Sequence, residues 1–233
     1  MSVLTDRLSL RRAFFRLTGV DANNTALTEH DGSTLETLYQ FLQYGLWDAQ
    51  AFLIDCGMGD RWIKRSSTLS FSGSDSVDGG KYTALPSDFL RLAGDDDVSA
   101  LCQPDGTRWG RLVDMRCRGE VRGNYYWLMN DRLYIAPGAS PPSDLVMEYH
   151  HKLATLADGS TVDFPEEHRS LIVAYAADRA QSDAWLPGDL EMNAKIAANL
   201  DRLKKLAWVR ARRNSGPRKM RARRVVGTHW LMS

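Results

Sequence analysis

Residues with the chemistry for a reaction or a metal are few and scattered along the chain. His150 and His151 stand beside Glu148, and imidazoles near a carboxylate are donors that a zinc-type ion takes. A β-strand turns neighbouring side chains to opposite faces, so two adjacent histidines cannot easily share one ion; the other reading is a strand with one buried and one exposed imidazole. Asp95, Asp96 and Asp97 lack the alternating spacing and distal glutamate of a calcium loop, and a solvated loop accounts for them. The phosphate, dinucleotide, nucleophile-elbow and zinc-protease patterns GxxxxGK[ST], GxGxxG, GxSxG and HExxH are all missing. Cys56, Cys102 and Cys117 are odd in number and far apart, which argues against a disulfide framework and for buried thiols in a reducing compartment. No cofactor or metal is expected, the chain does not read as an enzyme, and a small hydrolase would have only unpaired Asp and His residues to work with.

Two groups could bind rather than react. Tyr125, Tyr126, Trp127 and Tyr134 lie near Arg122 and Arg132, a composition that can stack single-stranded bases or, alternatively, fill the core of a hairpin. The segment from Arg202 to Arg224 holds eleven Lys or Arg and no acid, while the whole chain carries a net charge of only +1. The molecule is therefore polarised along its sequence, and such a pole is a statement about partners. It could neutralise phosphates or thread an acidic protein groove, and composition alone does not separate these.

The elements that must position these groups follow from periodicity. Apolar residues make up 43% and charged residues 25% of 233 residues, the composition of a soluble globular protein with one domain and an insertion. No apolar run reaches the roughly 20 residues of a membrane span, and Asp6, Arg7, Arg11 and Arg12 interrupt the N-terminus, so neither a secretion signal nor a membrane segment is expected. Val3 to Leu17 predicts a short amphipathic helix that Gly19 ends. Ser33 and Glu36 have capping-box spacing ahead of Leu35, Leu38, Leu42, Leu46, Ala49, Leu53 and Cys56, the apolar stripe of a second helix.

From Ser66 onward the pattern becomes that of strands, at Thr68 to Ser72, Lys81 to Leu85, Val98 to Gln103, Thr107 to Val113, Asn124 to Met129, Arg132 to Ala136 and Leu145 to Lys152. Pro104-Asp105-Gly106 and Asn130-Asp131 predict tight turns, and Leu85 to Leu92 a short helical turn. Asp163, Pro165 and Glu166 predict a capped helix that runs to Pro187-Gly188, followed by a last helix from about Asp189 with Ile196, Leu200, Leu203 and Ala207 inward. The expected fold is α+β: a helical domain from residues 1–65 and 153–213, an inserted antiparallel β domain at 66–152, and a flexible basic arm at 214–233.

The order of these parts carries a resemblance. The segments KYTALPSDFLRL, NYYWLMNDRLYIAP, LVMEYHHKL, DFPEEHRSLIVAYAADRA and NLDRLKKLA follow a long N-terminal helix, with Tyr82, Leu85, Pro86, Asp88, Phe89, Leu133, Ile135, Pro137 and Tyr149 at the matching positions. Over residues 33 to 213 this resembles the head-to-tail adaptor, or connector, proteins of tailed bacteriophages. The resemblance implies a virion structural protein made in the host cytoplasm and placed at the head–tail junction. There it would form a ring, commonly of twelve copies, between the portal and the tail or next connector protein, around the path of the genomic DNA. It also implies that the arm grips the portal, with Arg210, Arg212, Arg213, Arg218, Lys219, Arg221, Arg223 and Arg224 on acidic surface and His229, Trp230, Leu231 and Met232 as an apolar anchor. The competing expectation is a nucleic-acid-binding protein that uses the arm and the aromatic hairpin.

Overall fold

A computed structural model describes residues 4–19, 32–74, 80–93, 99–114, 116, 123–157, 159, 161–186 and 190–214. Among the described residues, four helices and two sheets make an α+β architecture, as expected. Helix α1 spans Arg7–Thr18; Asp6 caps it by accepting from Ser9 N at 2.8 Å, and Gly19 closes it at φ +68°. It begins later than the apolar pattern suggests because the preceding residues are held extended. Val162 N donates to Thr5 O at 2.9 Å, and Arg169 Nη1 donates to Leu4 O at 2.9 Å. Helix α2, Gly32–Asp55, buries Leu38, Leu42, Leu46, Ala49 and Leu53 along the expected stripe; the Ser33 side chain lies outside the described residues.

Helix α3 spans Arg169–Ser182 and α4 spans Leu190–Asn214. The expected cap at Asp163 does not form. Asp163 instead pairs with Arg61 at 3.0 Å, and a single 3₁₀ turn at Glu166–His168 leads into α3 without a side-chain cap. Arg169, 9% exposed, gathers three main-chain carbonyls, those of Phe164, Leu4 and Val162. Its guanidinium thereby satisfies backbone that no sheet or helix reaches. Alanines 174, 176, 177 and 180 let α3 lie close to α2. A Cβ on Gly45 would stand 2.4 Å from Ile172 O and 2.8 Å from Ala176 N, so only glycine fits that crossing. Helices α1 to α4, Trp62 and the segment 153–164 share the largest apolar cluster.

The nine strands are β1 (Ile63–Arg65), β2 (Gly73–Ser74), β3 (Lys81–Ala84), β4 (Phe89–Leu92), β5 (Leu101–Cys102), β6 (Arg111–Leu112), β7 (Tyr125–Met129), β8 (Arg132–Ile135) and β9 (Val146–His151). Strand β9 pairs with β1, β4 and β5, all antiparallel. The second sheet runs β2-β3-β8-β7-β6, antiparallel except for the β6–β7 pair. Asn130 and Asp131, at φ +48° and +56°, form the two-residue turn between β7 and β8 that their types predict. Two expectations are corrected. Thr68–Ser72 is not a strand, although Leu69 N still bonds Leu145 O at 2.8 Å. Residues 85–92 hold a turn at Ser87–Asp88 and then strand β4, because Phe89, Arg91 and Leu92 find partners in His151, His150 and Tyr149. A cluster containing Leu92, Leu101, Leu133, Ile135, Met147 and Tyr149 joins the inner faces of the two sheets.

The chain leaves β9 directly onto α2. Gln50 Nε2 donates to His151 O at 2.7 Å, and its Oε1 accepts from Leu153 N at 3.2 Å. Trp47 Nε1 donates to Leu153 O at 3.0 Å, and Gln43 Oε1 accepts from Leu156 N at 2.7 Å. Gln43, Trp47 and Gln50 recur at helical steps of four and three, so one face of α2 meets an extended segment with a ladder of donors and acceptors.

Gln50 is fully buried, and Gln50→Leu would keep most of its volume while stranding two main-chain groups. Loss of about 2–4 kcal/mol in chemical denaturation is expected, and a loss under about 1 kcal/mol would contradict the ladder's role. A second expectation concerns acid. Burial, aided by Arg210 and opposed by Glu167, holds the His168 pKa below the ordinary 6.5. The unfolded chain then takes up the proton first, so this contribution to stability is complete above pH 6.5 and is lost as the pH falls below it. The melting temperature should fall between about pH 7 and 5, and His168→Gln should flatten that fall; identical slopes in the two proteins would contradict it.

Candidate functional site

The polar residues that could have made a catalytic or metal site are engaged in holding the sheets. His150 is buried on β9, whereas His151 points the other way, its Nδ1 2.8 Å from Trp62 O. Among the described residues no three His, Cys, Asp or Glu side chains are placed to hold one ion. Asp95, Asp96, Asp97 and Cys117 lie outside the described residues. Cys56 and Cys102 are buried free thiols, and burial, reinforced by Asp55, pushes the Cys56 thiol up to about 11, which keeps it protonated and unreactive.

Glu148 spans the first sheet. Its Oε1 meets Arg65 at 3.0 Å and its Oε2 meets Arg108 at 2.6 Å. Burial alone would raise its pKa, but the hydrogen bonds from the two arginines outweigh burial and lower it. Asp88 accepts from Tyr149 Oη at 2.8 Å and from Lys64 at 3.0 Å; burial, together with that bond to Asp88, pushes Tyr149 up to about 12. These groups tie strand edges together.

The aromatic hairpin is core. Tyr126, Trp127 and Tyr134 are 1%, 0% and 3% exposed, and Trp127 stacks on Tyr134 with centroids 5.7 Å apart. The alternation of β7 and β8 turns Tyr126, Leu133 and Ile135 toward the first sheet and Trp127 and Tyr134 to the opposite face. No ring of that trio is open to an unstacked base, and Arg122 lies outside the described residues.

A further exposed surface is the outer side of α4. Ile196, Leu200 and Ala207 are buried and Leu203 packs partly buried beside them, as their spacing predicts, and Ala211 extends that inward side by one turn. The helix runs on unbroken to Asn214, antiparallel to α3, with Lys204 over the Tyr175 ring at 4.9 Å and Arg210 Nη1 donating to Glu167 O at 3.1 Å. Arg202, Lys205, Leu206, Val209, Arg212 and Arg213 follow one another at helical steps on the opposite side. Leu206, Trp208 and Val209 are 46%, 42% and 43% exposed, and the Arg212 guanidinium lies 3.4 Å from the Trp208 ring centroid. Of the basic residues assigned to portal docking, Arg210, Arg212 and Arg213 therefore sit on a folded helix. Arg218, Lys219, Arg221, Arg223, Arg224, His229, Trp230, Leu231 and Met232 lie outside the described residues. The apolar members of the outer stripe were missed by sequence reading, although Leu206 and Val209 stand off the inward stripe at a three-residue step.

No described helix is long and apolar enough to cross a membrane. No curated protein matches the chain. The family model described as SU10 adaptor protein matches residues 59–222, more than two thirds of the chain. The match takes in both sheets, α3 and α4; α1 and α2, which complete the helical core, precede it. Sheets held by ion pairs, a core hairpin and a long helix with an exposed basic face suit a part that binds other proteins. By this match the chain belongs to the SU10 adaptor protein family, structural components of the bacteriophage virion.

Proposed function

We propose that this protein is a head-to-tail adaptor that joins the portal to the tail as a closed ring, leaving a central path for the genome. The family match over residues 59–222 carries the reading. The geometry agrees with it in kind: a helical body, a β unit held to that body by α2, and a long helix whose last turns are cationic. We divide the chain accordingly into a helical unit (1–65 and 153–213), an inserted β unit (66–152) and an arm (214–233), the largest apolar cluster belonging to the first. The protein acts by contact and not by catalysis.

The arm beyond Asn214 reaches the portal. Arg210, Arg212 and Arg213 on the last turns of α4, with Arg218, Lys219, Arg221, Arg223 and Arg224 beyond it, are the cations for acidic portal surface, and His229, Trp230, Leu231 and Met232 are the apolar anchor. Weak individual contacts gain strength when an arm is repeated around a ring. The nucleic-acid reading loses most of its stacking platform, because Tyr126, Trp127 and Tyr134 are buried and Tyr125 alone of the four rings is partly exposed.

Truncation after Asn214 should leave the helical body folded and reduce co-assembly with the portal protein by about tenfold or more. Undiminished co-assembly would contradict the arm's assignment. DNA binding by the intact chain that weakens steeply with salt and vanishes in the truncated chain would favour the nucleic-acid reading instead.

A further inference from the structure

We propose that the cleft between the start of α1, the N-terminal half of α2 and residues 155–156 binds the carboxylate of an acidic side chain carried on a peptide, with Gln43 and Tyr39 as its hydrogen-bond donors. The proposal does not depend on the adaptor reading. Three observations carry it.

The first is a shaped opening. Arg7 of α1, Glu36, Tyr39 and Gln43 of α2, and Thr155 and Leu156 line a cavity of about 350 Å³. Glu36, Tyr39 and Gln43 continue, at helical steps, the same face of α2 that Trp47 and Gln50 use to hydrogen-bond main chain. One water takes up about 30 Å³, so the cleft is far larger than a bridging water needs and has room for a side chain with main chain on either side of it.

The second is a donor left over. Gln43 is 8% exposed, and its Oε1 is taken by Leu156 N at 2.7 Å, whereas its Nε2 is buried without a partner in the wall of the cleft. A buried amide donor left unmatched is costly, and a ligand oxygen in the cleft removes that cost. Tyr39 stands one helical turn away on the same face. Its Oη accepts from Arg11 Nη1 at 3.2 Å, which leaves the phenolic hydrogen to be donated. A carboxylate fits this pair because it brings two acceptor oxygens and no hydrogen of its own.

The third is charge. The Arg7 guanidinium lies 3.8 Å from the Tyr39 ring centroid, with Nη1 3.5 Å from Leu156 O, and Arg11 is bonded to the Tyr39 hydroxyl. Two cations at Tyr39 favour an anion over a neutral amide of the same shape. Glu36 in the lining sets an upper bound on that charge, since a dianionic phosphate meets twice the repulsion that a singly charged carboxylate does. Leu35 and Leu156 offer apolar wall to the methylene groups of an acidic side chain.

The test uses the full chain, isotope-labelled, in NMR titrations that follow the Gln43 side-chain amide and the Thr155 and Leu156 backbone amides. The probes are the end-blocked peptide Gly-Glu-Gly, its Gly-Gln-Gly counterpart, propionate and inorganic phosphate. The glutamyl peptide should shift all three signals saturably at millimolar concentration and bind about tenfold or more tightly than the glutaminyl peptide or phosphate. Gln43→Glu keeps an oxygen for Leu156 N but replaces the free donor with a charge, and it should abolish the shifts at Thr155 and Leu156. Tyr39→Phe keeps the ring beneath Arg7 and should weaken binding about tenfold, with the helical circular dichroism of both variants unchanged. No shift with millimolar glutamyl peptide, a glutaminyl peptide or phosphate that binds as tightly, or undiminished binding by Tyr39→Phe would each overturn the proposal. Propionate that binds as tightly as the glutamyl peptide would overturn the peptide as the source of the carboxylate.

Discussion

Three side chains of α2, Gln43, Trp47 and Gln50, hydrogen-bond the main chain at His151, Leu153 and Leu156, and this ladder sets where the sheets stand on the helices. The segment it holds emerges from β9, which pairs with β1 on one edge and with β4 and β5 on the other. A strand bonded on both edges cannot slide without flipping its side chains between faces, and a buried ladder at its exit fixes its position along the helix as well. Each bond contributes only about 1 kcal/mol net, but an unpartnered buried amide costs about 1–3 kcal/mol, so the ladder enforces one arrangement more than it adds stability.

The rest of the body follows from that constraint. With α2 fixed against the β9 exit, Gly45 and the alanines of α3 bring the two helices into near-backbone contact, and Arg169 fastens the residues ahead of α1. Helix α4 then lies along α3, its inner side taken up by Ile196, Leu200, Ala207 and Ala211, which commits the outer side to solvent or a partner. Its charge runs with the helix dipole, basic at the C-terminal end, so the same residues that favour the helix also give the molecule its cationic pole. In a virion component of this family, a fixed frame sets the relative placement of the surfaces it offers to other parts of the particle.

Much of this was legible in the sequence, and the gaps have physical reasons. The stripe from Leu38 to Leu53, the turn at Asn130-Asp131 and the inward face of α4 are local patterns, and each appears as read. Strands β1 and β4 are short and exist because β9 offers them partners distant in sequence. Phe89 to Leu92 follows a proline turn, and that local signal favoured a helical turn until tertiary pairing overrode it. Asp163 had the right type and spacing for a cap, but Arg61, far off in sequence, takes its carboxylate. Gln43 and Gln50 are polar residues that periodicity assigns to a solvated face, and only the path of residues 151–156 shows why they are buried. The outer stripe of α4 was hidden by the charges around it.

The central claim, which rests on the adaptor reading, is that a frame fixed at the β9 exit lets identical subunits close into a ring and turn their basic C-terminal ends to the portal. Electron cryomicroscopy of the full-length chain assembled with its portal protein tests this most directly. The account predicts a closed ring of identical subunits under the portal, each with the C-terminal end of its α4 directed at the portal. Separate subunits on the portal, or a ring whose α4 C-terminal ends point away from it, would contradict it.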